Sequence, residues 1–306
     1  MSGPVELYQE KLWCAWAGLR APMLEEIPPN KAQLHARISE DPFDGGRTAA
    51  WLRGLGSHAT WRAVRDRHTG HTIHCVSNRR HGELTADLVM GLRLLAWMSR
   101  RPVVWFWWDQ PWERVLPPNV DPGRFHINGG WAIPGIPEVH VYRREEAHKV
   151  LLHEAVHALG LDVPFAATVP VRQALEAELG RRLWPHLGEA YTELFAEWLW
   201  AIAGAGSLTE ARARWAAQLE CAEGQAAAVW ARIRDATVDE DTNVFAYYIL
   251  KVVLMAHLEE ALLAPRHAVP KWIQWWRAAR PALDALGAAA AETESTVLPM
   301  GMTCQR

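Results

Sequence analysis

The sequence predicts an α+β fold that is mostly helical, with a small mixed sheet in the N-terminal half and a helical C-terminal half. Two stretches of strand length occur in the first half of the chain, a continuous apolar run at residues 102–108 and an alternating segment at 138–143. Beyond Gly160, helical patterns follow one another almost without a break, at 171–183, 189–202, 208–234, 243–263 and 270–286. We therefore expect two parts, residues 1–144 and residues 145–306.

The N-terminal part carries the predicted sheet. Residues 1–65 look helical and loop-rich, and a helix capped by Thr85 extends to Arg100 with a stripe of leucines. Residues 102–108 are rich in β-branched and aromatic types, which indicates a buried strand. Residues 138–143 alternate along the chain and lead directly into the next helix, so they form the second predicted strand.

That next helix contains the sequence His153-Glu154-Ala155-Val156-His157. Residues four apart share one face of a helix, so the two histidines can present their imidazoles to a single metal ion. Glu154 is rotated by about a third of a turn, close enough to bond a metal-bound water without ligating the metal. The pattern H-E-x-x-H is typical of zinc metalloproteases.

The surroundings of the motif favour a metal site over an ordinary amphipathic helix. Residues 145–152 enter the motif without Pro or Gly, and two glutamates stand at the start, where the helix dipole favours carboxylates. Gly160 offers a C-terminal cap. Apolar residues surround the motif, so its imidazoles would be partly buried and would need a partner.

A third ligand decides what kind of site the pattern forms. Structural zinc takes four protein ligands, whereas catalytic zinc takes three and leaves one position for water. Val163 stands where a metzincin would supply a third histidine, and Asp162 is one residue short of the usual position of a short-range aspartate ligand. Glu189, Glu193 and Glu197 line one face of an otherwise apolar stretch, which favours a carboxylate stripe facing a cation.

The H-E-x-x-H pattern and the segment 192–198 (TELFAEW) together resemble the gluzincin zinc peptidases, whose second helix carries a glutamate ligand. The resemblance implies a zincin-like fold, Zn²⁺ as the cofactor and a metal site at the junction of the two parts. It makes Glu193 the third ligand and Glu197 the carboxylate that orients a ligand histidine. The Asn and Gly of the family's segment are absent here, and Glu189 and then Asp162 remain alternative ligands.

The same resemblance implies zinc-assisted hydrolysis of an amide bond. Glu154 would take a proton from the metal-bound water and pass it to the leaving amine. Tyr248 is the preferred donor to the tetrahedral oxyanion, with Tyr247 next and Tyr191 or His257 after them. The alternative for the adjacent tyrosine pair is a structural role, with both hydroxyls bonded to the backbone.

The resemblance also implies how a substrate would bind. In gluzincins the strand before the motif helix is the sheet edge along which an extended peptide lies, so residues 138–143 are expected to form an edge strand. Asn128-Gly129-Gly130 is a candidate for part of that wall. Two other functions stay open: an amidase or tailoring enzyme for a small metabolite, and a metal-stabilised scaffold that binds a partner protein.

A broader resemblance links the chain to uncharacterised H-E-x-x-H proteins of large DNA viruses and some microbes. It covers roughly residues 100–255, about half of the chain, through the segments 115–117, 127–130, 139–146 and 241–251. The chemistry of that set is itself inferred. This resemblance therefore supports the architecture more than it supports any particular substrate.

Composition narrows the remaining possibilities. The net charge of -3 indicates neither a nucleic-acid partner nor an anionic membrane surface. The four scattered cysteines suggest reduced thiols, and the N-terminus lacks a secretory signal, so we expect a cytoplasmic enzyme. Charged residues interrupt the apolar stretch 244–263, which predicts a buried helix and no membrane span. The 18 tryptophans serve as core anchors or line an aromatic pocket, and the oligomeric state stays open.

Overall fold

A computed structural model describes residues 4–40, 45–117, 120–163, 165–234, 240–263, 265–291 and 298–301. The fold is α+β and 61% helical, with a mixed six-stranded sheet in the N-terminal half, which confirms the predicted α+β class, while the zincin-like fold stays a prediction. The chain divides into two compact units. The sheet unit comprises Glu10–Glu113 and Asn128–Leu161, and the helical unit comprises Met1–Gln9, Arg114–Ile127 and Asp162–Arg306.

The sheet unit contains the strands β1 (Leu24–Glu26), β2 (Thr60–Asp66), β3 (Thr72–Ser77), β4 (Val104–Asp109), β6 (Gly130–Ala132) and β7 (Glu138–Val141). Their order is β1-β2-β3-β4-β7-β6. The three strands β3, β4 and β7 run parallel, and the outer pairs are antiparallel. Its helices are α2 (Lys31–Glu40), α3 (Arg47–Leu55), α4 (Thr85–Met98) and α6 (Ala147–Ala158). Both predicted strands are present, at slightly different limits.

Alternation along β4 supplies a core on both faces of the sheet. Trp105 and Trp107 point to one face, where α4 packs so closely that a Cβ atom at Gly91 would lie 2.3 Å from the Trp105 ring. Phe106 and Trp108 point to the other face and pack with apolar residues of α2 and α3. Tryptophan at these positions is therefore a core anchor, as one of the two sequence interpretations expected.

Two predictions about the end of the N-terminal part are wrong: that residues 138–143 form an edge strand, and that this part ends at residue 144. The strand β7 pairs with β4 on one side and with β6 on the other, so it is an interior strand of the sheet. The edge strand is β6, because the turn at Gly135 folds the chain 130–132 back against β7. The predicted boundary at residue 144 also fails, because α6 packs on β6, β7 and α4 and therefore belongs to the sheet unit.

The helical unit contains α7 (Phe165–Leu179), α8 (Glu189–Ala203), α9 (Leu208–Ile233), a π-helix (Phe245–Leu250), α10 (Lys251–Met255), α11 (Leu258–Leu263), α12 (Pro265–Ala268) and α13 (Trp272–Ala291). The helix α1 (Pro4–Ala17) precedes β1, and the short elements β5 (Val115–Leu116), α5 (Arg124–Ile127) and β8 (Leu298–Pro299) complete the described chain. The predicted continuous helix at 243–263 instead begins with a wider π-helical segment that continues into α10, and a turn at residues 256–257 separates α10 from α11. Within the described residues, no helix has the length and apolarity that crossing a membrane would require.

The expectation of four reduced thiols is wrong for Cys221, which is disulfide-bonded. Cys14 and Cys75 are free. Scattered spacing along a chain cannot reveal such a bond, because cysteines far apart in sequence can lie adjacent in the fold. The cytoplasmic location therefore loses one of its two sequence arguments and stays a prediction.

Candidate metal centre

The helix α6, which carries the H-E-x-x-H motif, has defined ends. It follows Glu146, whose backbone is left-handed with φ of 54°, a conformation that is uncommon for a residue other than glycine. At its C-terminus the amide of Gly160 bonds the carbonyl of His157 at 2.9 Å, and that of Leu161 bonds Val156 at 2.9 Å. With Gly160 at φ of 65°, this is a Schellman cap, which confirms the cap expected from the sequence.

The two motif histidines face one another on α6. Their Nε2 atoms lie 3.3 Å apart, and the ring planes cross at 72°. Two nitrogens that bind one tetrahedral zinc at about 2.0–2.1 Å lie about 3.3 Å from each other. The spacing of these ring nitrogens therefore fits a shared zinc ion. His153 is 6% exposed and His157 is half-buried, as the apolar surroundings predicted.

Glu154 is buried beside the edge strand β6, with 6% of its surface exposed. A Cβ atom at Gly130 would lie 3.0 Å from Glu154 Cγ, 2.9 Å from Val150 Cγ1 and 2.4 Å from the carbonyl oxygen of His140. Only a residue without a side chain allows the strand to approach α6 so closely. The sequence suggested Gly130 as part of a substrate wall, and the structure places it directly against the proposed catalytic glutamate.

One group of side chains in the described part of the chain is arranged to hold a metal ion: His153, His157 and Glu189. One ligand atom from each lies within 4.8 Å of the other two. Two imidazole nitrogens and one carboxylate oxygen could hold a metal ion, and the same donor types occur together in known zinc sites. Glu189 was the alternative ligand in the sequence analysis. Glu193 and Asp162 are not members of this group, and the ligand role of Glu193 stays a prediction.

Glu197 has a different role from the predicted one. Its carboxylate accepts a hydrogen bond from Lys251 Nζ at 2.6 Å and another from Gln218 Nε2 at 3.3 Å, so it orients neither motif histidine. All three side chains are buried. Burial of a carboxylate in an apolar helix demands a cationic partner, and Lys251 on α10 supplies it. Helical spacing alone grouped Glu197 with Glu193 and could not reveal this lysine.

The adjacent tyrosines separate into two environments. The Tyr247 hydroxyl donates to Glu189 Oε2 at 3.3 Å, and its side chain is half-buried. The Tyr248 hydroxyl is buried and donates to the carbonyl oxygen of Met300 at 2.7 Å, which is the structural role considered as the alternative. This contact gives no support to Tyr248 as the oxyanion donor, and the order of preference between the two tyrosines stays a prediction. The π-helix turns successive residues by a smaller angle than an α-helix does, and sequence periodicity does not foresee it.

The two lower-ranked oxyanion donors are occupied elsewhere. Tyr191 lies in the core, where burial raises the pKa of its hydroxyl above the usual value. His257 stacks on Trp275 with ring centroids 4.2 Å apart. Neither belongs to the metal-binding group.

Comparisons with protein-family models, with curated proteins and with solved structures find no match for this chain.

Proposed function

We propose that this protein is a zinc-dependent hydrolase that cleaves peptide bonds. The observation that carries the proposal is the pair of His153 and His157 nitrogens, spaced for one tetrahedral zinc, with a Glu189 oxygen within reach. When bound, zinc supplies a polarised water whose pKa falls towards neutrality. The donor set of two imidazoles and one carboxylate favours zinc over Mg²⁺ or Ca²⁺, which prefer oxygen ligands.

Glu154 acts as the general base and then as the general acid. It is adjacent to His153 in sequence and almost fully buried, and its side chain packs against β6 at Gly130. Its carboxylate accepts the proton of the attacking water and delivers that proton to the leaving nitrogen. Burial in apolar surroundings favours this proton transfer, because excluding bulk water prevents the proton from being lost to solvent before it reaches the leaving nitrogen.

The Tyr247 hydroxyl supplies the second interaction. In the free protein this hydroxyl donates its one proton to Glu189; during the reaction it would turn from Glu189 and donate instead to the oxygen that becomes negative as the water attacks. We assign this task to Tyr247 rather than Tyr248, because the acceptor of Tyr247 is a side chain of the metal-binding group, whereas the buried Tyr248 hydroxyl donates to the Met300 carbonyl.

An extended peptide is the favoured substrate because β6 is a sheet edge. The bond from the Tyr142 amide to the Gly129 carbonyl fixes the antiparallel alternation, which directs the backbone groups of Gly130 and Ala132 away from β7. Within the described residues these outward groups have no partner. A peptide that pairs with this edge would place one of its backbone amides beside Glu154. A small metabolite would make no use of an unpaired sheet edge.

Metal content and turnover test the proposal together. We expect about one zinc per purified chain, and hydrolysis of a quenched fluorescent peptide library that stops after treatment with a chelator. Glu154→Gln keeps the zinc and loses turnover, whereas the exposed control Glu220→Gln on α9 keeps both. Wild-type protein that binds no zinc, or a Glu154→Gln variant with normal turnover, contradicts the proposal.

The identity of the third ligand is tested by comparing the zinc affinities of two variants. Glu189→Ala is expected to lose zinc, with a drop in affinity of at least about 100-fold, while Glu193→Ala retains it. The opposite result would restore Glu193 as the ligand and leave the hydrolase proposal intact.

A further inference from the structure

A row of aromatic rings crosses the sheet and ends at its edge strand. His74 on β3, Phe106 on β4, His140 on β7 and Trp131 on β6 occupy paired positions in the register of the four strands. The centroids of successive rings lie 5.4 Å, 5.4 Å and 3.8 Å apart, and their planes differ by 14°, 17° and 4°. All four residues belong to the sheet unit. We call this row the ring ladder.

The last ring of the ladder has one face on the sheet and one face beyond it. Nearly parallel rings on neighbouring strands stack along the direction that crosses the strands. The inner face of Trp131 therefore rests on His140, and its outer face is directed past β6. Trp131 is half-buried, and among the described residues its one ring contact is the contact with His140. The outer face is thus accessible to a strand that pairs with β6.

We propose that the outer face of Trp131 binds an aromatic side chain of the substrate, and this inference rests on the proposed peptidase function. A peptide that pairs with β6 places one residue opposite Trp131, with its side chain on the same face of the sheet. Alternation along β6 turns the backbone groups of Trp131 towards β7. Trp131 and the residue opposite it therefore form a non-hydrogen-bonded pair, in which the Cα atoms are only about 4.5 Å apart. Because stacked aromatic rings gain more than the area they bury, an aromatic residue there extends the ring ladder by one strand.

The same alternation places the aromatic residue close to the cleaved bond. Gly130 directly precedes Trp131 and faces the other side of the sheet, where a Cβ atom would lie 3.0 Å from Glu154 Cγ. The substrate residue opposite Trp131 is therefore a chain neighbour of the residue that lies beside Glu154. Its side chain points away from α6 and does not crowd Glu154. We expect the aromatic residue within about two residues of the cleaved bond.

Charges on this face of the sheet favour an uncharged ring over an arginine. A guanidinium also stacks on tryptophan, and it gains most where a carboxylate is at hand. The carboxylate on this face of β7 is Glu138, which already bonds His140 Nε2 at 3.0 Å and pairs with Arg37 Nε at 2.7 Å. A substrate arginine would bring a second cation to the side where Arg37 lies. The site therefore favours phenylalanine, tyrosine or tryptophan.

A phenylalanine scan of a short peptide tests the inference by binding alone. The protein is zinc-loaded Glu154→Gln. The probes are acetyl-pentaalanine amide and analogues in which one alanine at a time is phenylalanine, each titrated calorimetrically. We expect one position at which phenylalanine tightens binding, and cyclohexylalanine there, with similar bulk and no π-system, should bind roughly two- to tenfold more weakly. Equal affinities for phenylalanine and cyclohexylalanine at every position, or tighter binding of an arginine analogue, would overturn the inference.

Variants of the same protein assign the preference to Trp131. Trp131→Leu should abolish the difference between the phenylalanine and cyclohexylalanine peptides, whereas Trp131→Phe keeps a ring and should keep most of it. Trp61→Leu is the matched control and should keep the full difference, because Trp61 is a half-buried tryptophan of the same core on β2, near the opposite edge of the sheet. An undiminished difference in folded Trp131→Leu contradicts the inference.

A crosslinking measurement needs no change at Trp131 and decides the matter even where Trp131→Leu fails to fold. The peptide carries p-benzoylphenylalanine at the preferred position, is irradiated in complex with Glu154→Gln, and its attachment site is mapped by mass spectrometry. We expect attachment within residues 129–133, on or beside β6. Attachment confined to other segments would overturn the inference.

The failure of this inference is distinguishable from the failure of the proposed function. Zinc and turnover without a preference for aromatic peptides sink the inference alone. Aromatic binding that depends on Trp131, in a wild type without zinc or turnover, sinks the hydrolase proposal and keeps the binding site. Absence of binding by every peptide of the scan contradicts the inference as well.

Discussion

Lys251 and Glu197 form a buried ion pair, with 2.6 Å between Nζ and Oε1 and with both side chains almost fully shielded from solvent. Gln218 Nε2 donates a hydrogen bond to the second carboxylate oxygen, so both oxygens of Glu197 accept a hydrogen bond. The pair joins α8, which carries Glu189, to α10, which continues from the π-helix that carries Tyr247. Its position indicates that it holds in register the two helices that supply these side chains.

Breaking this pair should strongly destabilise the protein. Lys251→Met leaves an uncompensated buried carboxylate, and we expect a loss of about 3–5 kcal/mol in the free energy of unfolding, measured by urea denaturation. The double change Glu197→Leu with Lys251→Met removes both charges and should recover most of that loss. A single variant within about 1 kcal/mol of the wild type would show that the pair is not buried as described.

Gly130→Ala should impair turnover without removing the metal. The new Cβ atom would collide with the His140 carbonyl and press on Glu154, so β6 must move away from α6. We expect normal zinc content and a fall in kcat/KM of at least about tenfold. Gly54→Ala is the matched control, because its Cβ atom would meet open space within a helix. Equal activity of both variants would mean that the close approach of β6 is irrelevant to catalysis.

The two tyrosines should give different phenotypes. Tyr247→Phe removes the bond to Glu189 and a proposed oxyanion donor, and we expect kcat to fall by about 100-fold with little change in unfolding temperature. Tyr248→Phe leaves the Met300 carbonyl without this donor, so it should cost about 1–2 kcal/mol of stability while sparing kcat. Interchanged phenotypes would reinstate Tyr248 as the catalytic residue.

Glu240 should make stability depend on pH. Burial raises the pKa of this carboxyl from 4.5 to about 7, although the amides of Trp184 and Phe245 bond it. Because the folded pKa exceeds the unfolded one, the folded state binds the extra proton. The contribution of this group to stability is therefore complete below pH 4.5 and is lost as the pH rises through 7.

The comparison variant is Glu240→Gln, which cannot titrate. Denaturation from pH 4.5 to pH 8 should show the wild type losing stability relative to this variant as the pH rises. Parallel stability curves for the two proteins across that range would mean that the pKa of Glu240 is not raised.

Local rules predicted the motif helix better than its surroundings. The helix over the motif, the burial of His153 and the Gly160 cap all follow from residues adjacent in sequence, whereas the helix begins at Ala147, after the two glutamates expected at its start. The choice between Glu189 and Glu193 does not, because carboxylates four apart share a face and periodicity cannot rank them. Contacts with residues distant in sequence distinguish these carboxylates. Tyr247 donates a hydrogen bond to Glu189, and Lys251 forms an ion pair with Glu197.

The order of the strands could not be predicted from the sequence either, because it also depends on contacts between residues that are distant in the chain. Alternation identified residues 138–143 as a strand, but a strand's own sequence does not say whether both of its sides are paired. The short strand 130–132 has only three residues and two of them are small, so it leaves almost no periodic signal. The informative feature was Gly130, whose missing side chain matters only once α6 lies against it.

A crystal structure of the purified protein, with anomalous scattering recorded at the zinc absorption edge, tests the central claim most directly. We predict a single strong peak about 2.0–2.1 Å from the Nε2 atoms of both His153 and His157, with one coordination position held by water. Imidazoles turned away from each other, or a fourth protein side chain in the position of that water, would contradict a hydrolytic zinc centre.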